Sequence, residues 1–101
     1  MLARLHVVIS SEADQAYLQV KEKLLMINPD LSISPNGPYQ PMKDHSEFYA
    51  TVDLKEEEVL PFLAKLNNDW TGEYDDCECY GFNTKMFDEL VYCLEFTYFN
   101  D

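Results

Sequence analysis

Acidic and aromatic side chains are concentrated in residues 69–82, a segment with five acids and no base. If residues 74–82 form a strand, its even-numbered side chains share one face, because alternate residues of a strand point the same way. Carboxylates bind lysine and arginine, and tyrosine is a frequent anchor of protein interfaces. The pattern predicts a surface for a basic protein, formed by Asp69, Trp70, Glu73, Tyr74, Asp76, Glu78, Tyr80 and Phe82. The alternative is a solvated sheet face with ordinary cross-strand aromatic pairs.

Three cysteines raise the question of a metal site. Cys77 and Cys79 form a C-x-C pair, and Cys93 with His6 or His45 could complete a ligand set. Structural zinc sites usually combine two ligand pairs at wider spacing, and this pattern is absent from the sequence. Free thiols in an apolar interior are the simpler interpretation, so no metal and no cofactor is predicted. The odd number of cysteines also argues against a disulfide framework and favours a reducing cytoplasm.

Motifs typical of enzymes are missing from the sequence. It has no nucleophile elbow, no phosphate-binding loop and no metalloprotease helix. Carboxylate pairs could act as acid and base, but an abundance of acids does not by itself indicate a raised pKa. His6 falls in a predicted strand and is interpreted as structural, whereas His45 falls in a polar loop and is interpreted as solvated. The sequence therefore favours a binding protein over an enzyme, with no catalytic residue.

The charge balance indicates the chemistry of the partner. The 101 residues include 19 acids and 7 bases, so the net charge is −12. Most of the excess lies in residues 51–101, where three bases face thirteen acids. This balance argues against nucleic acid and against an anionic membrane surface, since both are bound through lysine and arginine. A basic protein partner is favoured instead.

The N-terminal residues and the short apolar runs favour a location away from membranes. No segment reaches the roughly 18 apolar residues expected of a membrane span. The sequence at residues 1–6 lacks the pattern of a signal peptide. We therefore expect a soluble cytoplasmic protein that does not contact a membrane.

The first half of the chain is predicted to contain a strand, a helix and an irregular segment. Residues 5–9 are rich in β-branched side chains and indicate a strand. Ser11 is the expected N-cap of a helix that ends before Pro29. Residues 28–46 hold four of the five prolines, which suits a loop and a short edge strand near Ile33. The helical stripe consists of Ala13, Ala16, Tyr17, Val20, Leu24 and Ile27.

The second half is predicted to contain three strands and one helix. Residues 47–54 alternate between apolar and polar side chains, with Phe48 facing inward and Glu47 outward. The acidic run Glu56-Glu57-Glu58 suits the start of a helix, and Pro61 marks either its regular beginning or a kink. Strands follow at residues 74–82 and at about 90–99. The last strand is apolar on both faces, which suits either a central strand or a strand that covers a core and exposes a contact patch.

The order of elements, β-α-β-β-α-β-β, predicts one α+β domain spanning residues 1–101. Its first six elements match a ferredoxin-like β-α-β-β-α-β sandwich, in which an antiparallel sheet carries two helices on one face. The seventh element is predicted as an additional C-terminal strand, paired as a hairpin with the strand before it. The oligomeric state is not indicated.

In size, charge and α/β character, the chain resembles the small acidic immunity proteins that accompany bacterial polymorphic and contact-dependent toxins. Such proteins neutralise a cognate toxin, often a basic nuclease, by covering its active site or an adjacent surface. The resemblance implies a toxin domain of the same cell as partner. The chain is also similar to acidic ferredoxin-like regulators of ribonucleases, since Trp70 and Tyr74 precede an acidic, aromatic strand. The residues that the immunity-protein resemblance implicates are Asp69, Glu73, Tyr74, Asp76, Glu78 and Tyr80.

The leading hypothesis is therefore an acidic protein inhibitor of the immunity type. Complementary charge would speed association with a basic toxin, and aromatic anchors would slow dissociation. The alternatives are a regulatory or adaptor module, such as a phage anti-defence protein or a ribonuclease regulator, and a small ferredoxin-like enzyme.

Overall fold

The computed structural model describes residues 1–81 and 85–100 and contains the predicted elements together with two further short strands. No helix in these residues is long and apolar enough to cross a membrane. In chain order the elements are β1 (Leu2–Ile9), α1 (Asp14–Ile27), β2 (Ser32–Ile33), β3 (Gly37–Pro38), β4 (Ser46–Asp53), α2 (Glu56–Leu66), β5 (Thr71–Glu73), β6 (Asp76–Tyr80) and β7 (Val91–Tyr98).

The strands form one antiparallel sheet in the order β2-β4-β1-β7-β6-β5, with β3 paired to β4. The order β2-β4-β1-β7 is that of a ferredoxin-like sheet, in which each helix connects two strands that flank a third. The predicted α+β, ferredoxin-like class is therefore confirmed.

The position of the additional strands differs from the prediction. The last strand, β7, pairs with β1 from Ala3↔Tyr98 to Ile9↔Val91 and so takes the ferredoxin position. The hairpin of β5 and β6 is added outside β7, at the edge of the sheet. Sequence order alone does not tell which of two consecutive strands docks beside β1. The central position of β7 accounts for its apolar residues on both faces.

The core lies between one face of the sheet and the two helices. Phe48 of β4 and Phe96 of β7 are the largest of its fully buried side chains, each 1% exposed. Cys77 and Cys79 of β6 point into the same layer, as small side chains beside the helices should. Other core residues are Leu5, Val7, Val20, Leu24, Val59, Phe62, Leu63, Leu66 and Leu94.

The start of α1 differs from the sequence prediction, whereas α2 begins at the predicted acidic run. For α1 the N-cap is Ala13 rather than Ser11, whose Oγ instead accepts a hydrogen bond of 3.0 Å from the Ala13 N–H. α2 begins at Glu56 and runs through Pro61, so a regular start at Pro61 is wrong. Its first turn is stabilised by the Glu58 carboxylate, which accepts a hydrogen bond of 2.8 Å from the Lys55 N–H.

The predicted strand at residues 74–82 is shorter than expected. Glu73 pairs with Asp76 across a tight turn, so Tyr74 and Asp75 lie in the turn rather than in a strand. β6 ends at Tyr80, and Phe82 lies outside the described residues. The hairpin reverses the chain at a point where the sequence pattern predicts a continuous strand.

Gly72 in β5 is required by the geometry of this hairpin. Its φ is 115°, and a Cβ at this position would lie 2.5 Å from the Asp76 carbonyl oxygen. We expect Gly72→Ala to lower the free energy of unfolding by about 1–3 kcal/mol, because the strained backbone and the clash add. Urea unfolding measures the change. Gly37→Ala is the matched control, since no atom lies within 4 Å of its added Cβ, and an equal loss in both variants would contradict the prediction.

Candidate protein-binding surface

The sheet face opposite the helices carries polar side chains from four neighbouring strands. Successive side chains of a strand point to opposite faces of the sheet. The core side is taken by Leu5, Phe48, Cys77 and Leu94, so the residues next to them in each strand point away from the core. We call this surface the open face, and it consists of Arg4, His6, Glu47, Tyr49, Thr51, Asp76, Glu78, Tyr80, Glu95 and Thr97.

His6 lies at the centre of the open face between two carboxylates. Its Nε2 is 2.6 Å from Oε1 of Glu47, and its Nδ1 is 2.6 Å from Oε1 of Glu95. Each ring nitrogen therefore lies within hydrogen-bond distance of one carboxylate oxygen. The three side chains connect β4, β1 and β7. His6 therefore links the two central carboxylates of the open face.

Aromatic rings surround this ionic centre. The Tyr49 ring stacks on the His6 ring with centroids 4.7 Å apart, and the Arg4 guanidinium lies 5.5 Å from the Tyr49 centroid. Tyr39, from the segment between β3 and β4, approaches the His6 ring at 6.1 Å. Burial raises the pKa of Tyr39, and the nearby Cys93 and Glu95 add to this effect. One end of the open face is therefore covered by the chain itself.

The carboxylates of β6 are arranged differently. Asp76 and Glu78 are exposed, and Glu78 lies directly opposite Glu95 in the neighbouring strand. In the described part of the chain, no lysine or arginine is within ion-pair distance of either β6 carboxylate. The Tyr80 hydroxyl donates a hydrogen bond of 2.8 Å to Glu78, and this bond to a negative acceptor raises the pKa of Tyr80 to about 12. We call Asp76, Glu78 and Tyr80 the acidic edge.

The structure divides the residues predicted for partner binding between two sides of the sheet. Asp76, Glu78 and Tyr80 come together on the open face. Trp70 lies on the helix side, where its Nε1 donates to the Leu63 carbonyl at 3.0 Å. The Tyr74 hydroxyl donates a hydrogen bond of 3.3 Å to Glu56. Of the other predicted residues, Asp69 and Glu73 are exposed, and Phe82 is outside the described residues.

Trp70 and Tyr74 border a depression between α2 and the β5–β6 hairpin. Its volume is about 450 Å³. The exposed Leu60 of α2 forms part of its wall, and Glu73 and two asparagines supply the polar positions. We call it the helix-side groove, lined by Leu60, Leu63, Ala64, Asn67, Asn68, Trp70, Gly72, Glu73, Tyr74 and Cys77.

Sequence reasoning missed the residues that complete the open face. Alternation along residues 47–54 predicts that Glu47 and Tyr49 face outward, but it does not join them to His6. Glu95 shares a face with Asp76 and Glu78 only because β6 and β7 pair in this register. The sequence pattern predicts only that each of these residues faces outward in its own strand, and it does not predict which strands are neighbours.

Of the three thiols, Cys77 and Cys79 lie on the core side of the sheet, whereas Cys93 pairs with Tyr80 and lies on the side of the open face. Cys77, Cys79 and Cys93 are free and buried. Burial raises the pKa of Cys77 to about 11, of Cys79 to about 12 and of Cys93 to about 11. Among residues 1–81 and 85–100, no group of three or more His, Cys, Asp and Glu side chains is arranged to hold a metal ion.

Comparisons with known proteins do not identify a relative. No family model matches the chain, and no match was found among curated proteins or solved structures. The function is therefore inferred from the charge and geometry of the two surfaces.

Proposed function

We propose that the protein is an acidic inhibitor of the immunity type. It binds a basic toxin domain through the acidic edge and covers the active site of that domain or a surface beside it. The observation that supports this proposal most directly is the exposed pair Asp76 and Glu78, which has no lysine or arginine within ion-pair distance in the described chain.

The placement of these carboxylates is unfavourable for the isolated chain. Glu78 of β6 lies directly opposite Glu95 of the adjacent strand β7, and like charges in directly opposite positions destabilise a sheet. A lysine or arginine from a partner would relieve the repulsion. The net charge of −12 would also attract a cationic partner from a distance and raise the association rate.

The sheet favours binding because its side chains are already positioned. Asp76 and Glu78 lie on a strand paired on both sides, with β5 and with β7, so little backbone ordering accompanies binding. Tyr80 is held by its hydrogen bond to Glu78 and packs at 6.0 Å against the Tyr92 ring. A preordered tyrosine beside exposed carboxylates suits an interface with lysine and arginine.

Partner capture followed by kinetics tests this function. The immobilised chain is expected to retain a basic protein from its native source. The purified partner should then associate more slowly as salt is added, because screening weakens attraction between exposed charges. If the partner is a toxin, its activity is expected to fall in proportion to complex formation.

Three results would contradict the proposal. They are a captured partner of acidic character, an association rate that does not change with salt, and full activity of the partner in the complex. The last result would favour an adaptor or regulatory subunit in place of an inhibitor.

A further inference from the structure

The helix-side groove exposes apolar side chains next to the acidic edge. Leu60 is 64% exposed although it is a large hydrophobic residue. It stands beside the half-buried Trp70 and Tyr74, so apolar surface from α2 and from the hairpin is continuous. Exposed apolar patches with a polar border are typical of places where another protein binds.

The border of the groove is acidic. Glu73 lines it, and the Tyr74 hydroxyl donates to the carboxylate of Glu56. The basic residue of α2, Lys65, lines a different depression together with Lys23 of α1. An occupant that carries positive charge next to an apolar group would match this border.

We infer that the groove binds a leucine or phenylalanine side chain that is flanked by lysine or arginine in a basic partner protein. The inference rests on the proposed function, since it assigns a second contact to the same partner. Cys77 points towards the groove, whereas its neighbours Asp76 and Glu78 point to the open face. A partner that surrounds the edge of the hairpin therefore contacts both surfaces.

Strand addition to the sheet edge fits the structure less well. The edge strand β5 has three residues, and the middle one, Gly72, has a φ of 115°. A short and irregular edge offers few aligned backbone groups to an incoming strand. The side chains of the groove, rather than its backbone, therefore supply the contact.

The single tryptophan of the chain provides a direct readout, because Trp70 lines the groove. The probe is a short blocked peptide, free of tryptophan and tyrosine, with a leucine–phenylalanine pair between lysine and arginine residues. It should cause a saturable change in Trp70 fluorescence. Two comparison peptides carry either alanines in place of the apolar pair or glutamates in place of the basic residues.

Two groove variants and one control locate the peptide. Ala64→Arg places a bulky cation in the groove and is expected to weaken binding about tenfold or more, since a central anchor is blocked. Leu60→Gln is a milder second variant at an exposed position, where folding should be preserved. Gln15→Arg adds the same charge at an exposed position of α1 and should leave binding nearly unchanged.

Several outcomes would overturn the inference. They are an unchanged Trp70 signal, equal binding of either comparison peptide, and normal binding to both groove variants. These outcomes concern the peptide alone. Failure of the proposed function is seen separately, as partner affinity that is unaffected by lysine substitution of Asp76 and Glu78.

Discussion

Replacement of Asp76 and Glu78 together by lysine is expected to weaken partner binding by about 100-fold, or about 2.7 kcal/mol. The two side chains are exposed on β6 beside Glu95, with no base of the described chain within ion-pair distance. Reversal of their charge would set lysines against a basic partner, and like charges across an interface cost several kcal/mol. The dissociation constant and its salt dependence, measured for the purified partner, check the result.

A double variant elsewhere separates the local effect from the change in net charge. Glu22 and Asp30 are exposed on or near α1, so Glu22→Lys with Asp30→Lys gives the same net charge at a distance from the acidic edge. This variant should slow association moderately and leave the dissociation rate unchanged. If both double variants lose the same affinity, the acidic edge is not the contact and only the overall charge matters.

The free energy of unfolding is expected to fall steeply between about pH 9 and about pH 11. Burial raises the pKa of Cys77 and Cys93 to about 11 and of Cys79 to about 12, whereas the thiols of the unfolded chain titrate near 9.0. In this interval the unfolded state binds fewer protons than the native state, so stability decreases as the pH rises. The loss is on the order of 2 kcal/mol per thiol at pH 11. Below pH 9 the contribution of the thiols to stability is fully present.

Urea unfolding across this pH range, under reducing conditions and with Trp70 fluorescence as the signal, measures the loss. The control is Cys79→Ala, which removes the thiol with the largest upward shift in pKa and should make the pH dependence shallower. If the wild-type chain and Cys79→Ala lost stability in parallel, ionisation of this thiol would not contribute.

Much of the fold follows from patterns that are local in the sequence. The alternation of residues 47–54 places Phe48 in the core and Glu47 outside, as β4 shows. The acidic run at Glu56 starts α2, because negative side chains stabilise the first turn of a helix. The hairpin of β5 and β6 was not predicted, since a tight turn at Tyr74 carries no glycine or proline of its own to interrupt the strand pattern.

The candidate site depends on contacts between distant residues. Glu47 and Glu95 are 41 and 89 residues from His6 along the chain, yet both bind its ring. Nothing in the types or spacing of the three residues predicts this arrangement, because the register of β4, β1 and β7 creates it. The turn at Tyr74 likewise sends Trp70 to the helix side and leaves Asp76 on the open face.

The acidic character of the molecule and the excess of acids over bases in residues 51–101 are properties of the sequence, so they hold for any conformation of the chain. The spacing of apolar side chains along the helices and strands is likewise a property of the sequence, and it is sufficient to predict the α+β class. Strand pairing alone decided which carboxylates His6 contacts and which remain exposed on β6. The reason is that electrostatic compensation depends on distances of a few ångströms, and in this chain those distances join residues from opposite ends of the sequence.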